Sequence, residues 1–206
     1  MHSIVRVLAV LMMAATSSLV QAQVPSPQRF ENATAGIGLT RPAGWHTASL
    51  QTVQENRERV QLSDAELQAA LRKLATAPLV VFTKYPEPHP TMNPSVQVTL
   101  RSSGALAGAA PTEILKIAVG SMQKAFADFA FVNEIHGVQV SGLPAAHMRA
   151  RYTMNVGGSG FGVLARLWLV PRGQFMFLIG MSGPPDGPDL SEAEFAEVLG
   201  SISIQK

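Results

Sequence analysis

Four apolar segments follow one another almost without pause: Phe129 to Ser141 (FAFVNEIHGVQVS), Ala145 to Met154 (AAHMRARYTM), Phe161 to Val170 (FGVLARLWLV) and Gln174 to Met181 (QFMFLIGM). Only turn formers separate them, at Gly142-Leu-Pro144, Gly157-Gly-Ser-Gly160 and Arg172-Gly173. A parallel pair needs a crossover of a dozen or more residues, so connections this short predict an antiparallel meander. If Pro171 faces Gln174, then Trp168 faces Phe177 and Leu167 faces Leu178. Both faces of that hairpin are then apolar, and a sheet buried on both faces needs cover on both.

The rest of the chain supplies strands and cover. Leu79 to Tyr85 (LVVFTKY) reads as a strand ending at the Pro-rich loop Pro86 to Pro94. Ser95 to Ser102 alternates, with Val96, Val98 and Leu100 on one face and Gln97, Thr99 and Arg101 on the other. Helices are predicted from Leu50 to Arg59 and from Ser63, where Ser63 and Glu66 form a capping box ahead of the stripe Leu67, Ala70, Leu71, Leu74. Another opens at Pro111 and runs to Phe126 with Ile114, Ala118, Met122 and Phe126 spaced by four. The last follows a second capping box, Ser191 with Glu194, and carries Phe195, Val198, Leu199 and Ile202. The expected fold is α+β: a three-layer α/β/α sandwich around a mainly antiparallel sheet of six to seven strands.

Residues 1–22 predict a signal peptide: His2 and Arg6 precede the nine-residue apolar run Val7 to Ala15, and Val20-Gln-Ala22 supplies the cleavage signature. Nine apolar residues are too few to span a ~30 Å hydrocarbon core. Residues 23–34 read as a polar leader, and 35–206 as one domain. With no cysteine anywhere in the 206 residues, lipid attachment at the cleavage site and thiol chemistry are both excluded. The expected product is a soluble periplasmic or secreted protein with no stable membrane insertion. A net charge of +2, no basic run and only two Trp and two Tyr argue against nucleic acid as a partner.

No motif for catalysis stands out. Gly157-Gly-Ser-Gly-Phe161 fails the nucleophile-elbow pattern at its fifth position and joins two strands rather than a strand and a helix. His46, His89, His136 and His147 lack metal-ligand spacing, so neither a metal nor a cofactor is expected. The specific constellation is basic. His147, Arg149 and Arg151 share one strand face, and pairing Met154 with Phe161 sets Arg166 opposite Arg149 and Trp168 opposite His147. Facing arginines repel and need an anion between them. Pairing Ser141 with Pro144 nominates Glu134, opposite Arg151, with His136 opposite Arg149. The five residues His147, Arg149, Arg151, Arg166 and Trp168 are thus either a self-satisfied network around Glu134 or a site for an anion or a partner's carboxylate.

Arg41-Pro-Ala-Gly-Trp45 early, Pro94-Ser-Val-Gln-Val-Thr99 mid-chain, Gly142-Leu-Pro-Ala145 before three closing strands and Leu199-Gly-Ser-Ile202 at the end resemble the PsbP-like superfamily. That group takes in a photosystem II extrinsic subunit, Mog-type import factors and DcrB-type bacterial envelope proteins. The resemblance covers about residues 28–206 and implies that fold and a non-catalytic accessory role. The chain departs from DcrB-type proteins in lacking the lipid-anchor cysteine, and no photosynthetic or Ran-binding motif transfers to it. The expectation is a non-enzymatic envelope accessory or binding protein, its partner an envelope protein or a small ligand. The alternative is a hydrolase-type enzyme whose site is assembled from scattered residues.

Overall fold

The second half of the chain is driven back and forth by two-residue turns. A computed structural model describes residues 26–62 and 77–205. The signal peptide expected at 1–22 and the helix expected from Ser63 lie outside the described residues. Among those described, β7 (Ala130–Val140), β8 (Leu143–Val156), β9 (Ser159–Arg172) and β10 (Phe175–Gly183) form the meander. Gly142, Gly157, Gly158 and Gly173 all have positive φ at its turns, the backbone a tight hairpin demands.

Ahead of the meander lie β1 (Gln28–Asn32), β2 (Ile37–Arg41), β3 (His46–Thr47), α1 (Leu50–Arg59), β4 (Val60–Gln61), β5 (Val80–Thr83), β6 (Ser95–Ser102) and α2 (Pro111–Ala125). After it come α3 (Glu192–Ser201) and β11 (Ser203–Ile204). The main sheet runs β3-β5-β6-β10-β9-β8-β4, with β7 also on β8. Two of its eight strands are two-residue edges, so six long strands make its body. A separate three-stranded sheet runs β1-β2-β11, and every strand pair is antiparallel.

The polar run 23–34 is not simply a leader. Residues 28–32 form β1, which aligns Phe30 with Leu39 of β2 and packs Phe30 against the core. One inward apolar side chain in five residues is too little for period-two alternation to register. Arg29 fastens the strand, donating to the Ser201 carbonyl at 3.1 Å and to Ser203 Oγ at 2.5 Å.

Both sheet faces are covered. On one, Ile114, Leu115 and Val119 of α2 bury Ala146, Met148, Ala150 and Leu169. On the other, Phe195 and Val198 of α3 join Ile37 and Leu39 of the small sheet over Val96, Val98, Val170, Phe177, Ile179 and Met181. Each such side chain contributes roughly 1.5–3 kcal/mol when fully buried. Trp45, from the Pro-Ala-Gly-Trp turn, is 2% exposed and meets the Phe195 ring edge-on at 5.8 Å. The outer layer on this face is therefore part helix and part sheet, and among the described residues none of α1 joins either core cluster.

Registers test the pairing argument. Across β8 and β9 the structure matches it, with Arg149 opposite Arg166 and His147 opposite Trp168. Across β9 and β10 the turn sits one residue later. Arg172 pairs with Phe175, so Trp168 faces Ile179 rather than Phe177 and Leu167 faces Gly180 rather than Leu178. That two-residue slip leaves every side chain on its expected face. Across β7 and β8 the turn is Ser141-Gly142, with Val140 opposite Leu143 and His136 opposite His147 rather than Arg149. Register shifts then place Asn133 opposite Arg149 and Ala130 opposite Arg151. Glu134 is not the residue opposite Arg151.

Candidate functional site

β8 and β9 present His147, Arg149, Arg166 and Trp168 toward α3, and the anion that reconciles the two arginines comes from that helix. Glu192 Oε1 accepts from Arg149 Nη2 at 2.7 Å and from Arg166 Nη2. Arg166 is 4% exposed; its Nη1 donates to the Leu164 carbonyl at 3.3 Å and its guanidinium lies 4.9 Å from the centre of the Phe195 ring. Burial pushes the Glu192 carboxyl up, but the hydrogen bonds and charges of Arg166 and Arg149 outweigh it and hold the group below its ordinary range. Glu192 is also the first residue of α3, where a carboxylate complements the helix dipole. Of the three arginines expected around Glu134, Arg149 and Arg166 come together, but on Glu192, and Arg151 is not part of the cluster.

The other candidates fall around this pair. The His147 ring lies 4.2 Å from that of Trp168, tilted by 45°, and meets the His136 ring edge-on at 5.3 Å. Burial, then the charges of His136 and Arg149, push its imidazole down to about 4, so it is neutral at physiological pH. Arg151 stands apart, 3.8 Å from Asp186, with both side chains exposed; such a pair contributes little.

A second polar cluster pins the same helix. Lys84 Nζ lies 3.2 Å from Glu194, 3.5 Å from Asp189 and 3.1 Å from Ser191 Oγ, while Tyr85 donates to Asp189 at 2.6 Å. Burial lowers the Lys84 pKa, yet the hydrogen bond and charge of Glu194, with help from Tyr85 and Asp189, leave it raised. This overturns the second capping box. Ser191 sits in the left-handed region at φ 52°, makes no side-chain cap, and turns its hydroxyl to the Asp189 carbonyl, while Glu194 serves Lys84. His89 stacks on Tyr85 at 4.8 Å, in a loop bridged by Asn93 to Tyr85 and Glu87. Among the described residues no three metal-ligating side chains gather.

The sequence reading missed Glu192, Asp189, Lys84 and Phe195 as partners. Glu192 lies 43 residues from Arg149 and 26 from Arg166. A carboxylate in the first turn of a helix expected to cover this sheet face was the available signal.

A different feature opens at the far end of the sandwich, between the β1–β2 and β9–β10 turns. It is a cavity of ≈750 Å³ lined by Asn32, Ala35, Leu79, Leu100, Arg172 and Phe175, among others. Phe175 at its lip is 49% exposed.

The architecture is similar to that of cyanobacterial PsbP (CyanoP) from Synechocystis, at 15% identity and a TM-score of 0.53, over 92% of this chain and 99% of that one. The fold is PsbP-like. It is also similar to LpqN of Mycobacterium tuberculosis, described as involved in cell envelope biogenesis, at 12% identity and a TM-score of 0.49 over 90% and 87% of the two chains. No protein-family model and no curated protein sequence matches the chain. Among the described residues of this PsbP-like fold, no helix is long and apolar enough to cross a membrane.

Proposed function

We propose that the protein is a non-enzymatic accessory or binding protein of the bacterial cell envelope, exported by residues 1–22 and acting in the periplasm or outside the cell. The observation that carries the reading is where the charged side chains go. Arg149, Arg166 and Glu192 on one side, and Lys84, Asp189 and Glu194 on the other, are spent on seating α3 against the sheet. In this reading Arg149 and Arg166 are scaffold cations, since Glu192 occupies the place an outside anion would take. The hollow left open to a ligand is mostly apolar, with Leu79, Leu100 and Phe175 beside Arg172 and no acidic side chain or histidine among its lining residues, which suits binding better than acid–base chemistry. The PsbP-like fold is compatible with this role.

The test is expression of the full chain in a bacterial host. Intact mass of the periplasmic species should begin at Gln23, and cross-linking should recover a defined envelope component. A full-length species pelleting with membranes would overturn the export claim. Saturable turnover of an ester, amide or phosphate panel, surviving further purification, would overturn the non-enzymatic one.

A further inference from the structure

The ≈750 Å³ cavity contains a cation with no carboxylate to answer it. Arg172 closes β9 and lines the cavity with Leu79, Leu100, Ala35 and Phe175. Its Nη1 donates to the Ala35 carbonyl at 2.8 Å, and among the described residues no acidic side chain pairs with it. The guanidinium is held in place as well as charged. It lies against Gly36, whose φ of +66° calls for glycine and where a Cβ would stand only 3.0 Å from Nη1. Arg149, Arg166 and Lys84 at the sheet–helix seam each reach a carboxylate, whereas this half-buried arginine beside an apolar hollow reaches none.

We propose that this cavity binds a free long-chain carboxylate, its acyl chain lying along Leu79, Leu100 and Phe175 and its carboxylate accepting from the Arg172 guanidinium. The volume falls within the roughly 300–1,000 Å³ of sites that hold one small ligand, which suits a single acyl chain better than a two-chain lipid. A pinned guanidinium loses little freedom on binding, and its planar fork matches a carboxylate. The assignment rests on the reading of the protein as a binder and names the ligand class of one site in it.

Dodecanoate, below its micelle concentration, tests this by calorimetry and by displacement of a dansyl-labelled undecanoate from the full chain. Saturable one-to-one binding is expected, weakened about tenfold or more by Arg172→Gln, as loss of a hydrogen-bonded charge predicts. Because Arg172 also holds Ala35, a second variant guards against a folding defect. Phe175 is paired directly opposite Arg172, so Phe175→Glu provides an internal carboxylate for that cation. It should abolish dodecanoate binding with no loss of thermal stability. Dodecanol should bind at least about tenfold more weakly than dodecanoate. The proposal is overturned if dodecanoate does not saturate, if dodecanol binds equally well, or if both variants bind as the parent does. Co-sedimentation with phosphatidylglycerol vesicles in place of dodecanoate binding also overturns it. None of these failures touches the envelope-partner capture, which tests the broader reading separately.

Discussion

Replacing Glu192 by Gln removes one charge and leaves an oxygen that still accepts a hydrogen bond from Arg166. The change therefore isolates the electrostatic part of the seam. Removing one member of a fully buried ion pair costs about 3–5 kcal/mol. Here Arg166 is 4% exposed while the Glu192 side chain is 49% exposed, so water screens the pair from one side and roughly 2 kcal/mol is the expected loss. A chain of this size loses about 2–4 °C of Tm per kcal/mol, so differential scanning calorimetry at pH 7 should show a drop of about 4–8 °C. Glu134→Gln, at the acid nominated by the alternative strand register, should shift Tm by no more than about 1 °C. Adding Arg166→Met to Glu192→Gln removes the stranded cation and should recover much of the loss. The pH dependence has a definite sign. The Glu192 carboxyl is held below its ordinary range, so its contribution is complete above the carboxylate range and is lost as pH falls through the lowered folded value. The gap between parent and Glu192→Gln should accordingly close toward acid. A Glu192→Gln protein melting with the parent at pH 7, or a Glu134→Gln protein showing the larger loss, would refute the assignment of Glu192 as the anion between the arginines.

His147, held down at about 4, predicts a second window. Between pH 6.5 and that value the unfolded chain takes up a proton that the folded one refuses, so stability should fall by about 1–2 kcal/mol after allowance for screening. His147→Phe should flatten that part of the Tm–pH curve, and an unchanged slope would count against it. Trp45→Ala should cost about 3–5 kcal/mol, because a fully buried ring against Phe195 is lost and a cavity left. Chemical denaturation reads this directly, and a loss below about 1 kcal/mol would mean the Pro-Ala-Gly-Trp turn is not anchored by its indole. Tyr152, stacked on Phe126 at 4.1 Å and pushed up by burial to about 12, should be the later of the chain's two tyrosines to ionise. Ultraviolet titration of Tyr152→Phe should abolish the late step and keep the step of Tyr85.

How much of this was legible beforehand follows from the distance over which each feature is decided. The meander was readable because hairpins are local: Gly157-Gly158 sets the turn that puts Arg149 opposite Arg166. Face assignment survived where the turn position did not, since a slip of two residues preserves the alternation of side chains. The β7 register was not readable, because Ser141 adopts φ 53° and moves the turn, and register shifts follow. Nothing in a serine announces that choice. Likewise β1 carries one inward apolar residue, and only pairing with β2 and the hold of Ser201 and Ser203 on Arg29 make it a strand.

The sequence by itself determined that this chain alternates into an antiparallel sheet with apolar faces on both sides, and that two arginines on one face require an anion. Only the tertiary structure decided that the anion is Glu192, that Lys84 overrides the capping role of Ser191 and Glu194, and that Ala35, Leu79, Leu100 and Phe175 line an open hollow beside Arg172. The physical reason is reach. Backbone periodicity and turn chemistry act over a few residues, whereas ion pairs and cavities arise where a helix docks or two turns meet, and no local pattern encodes which distant side chain arrives there.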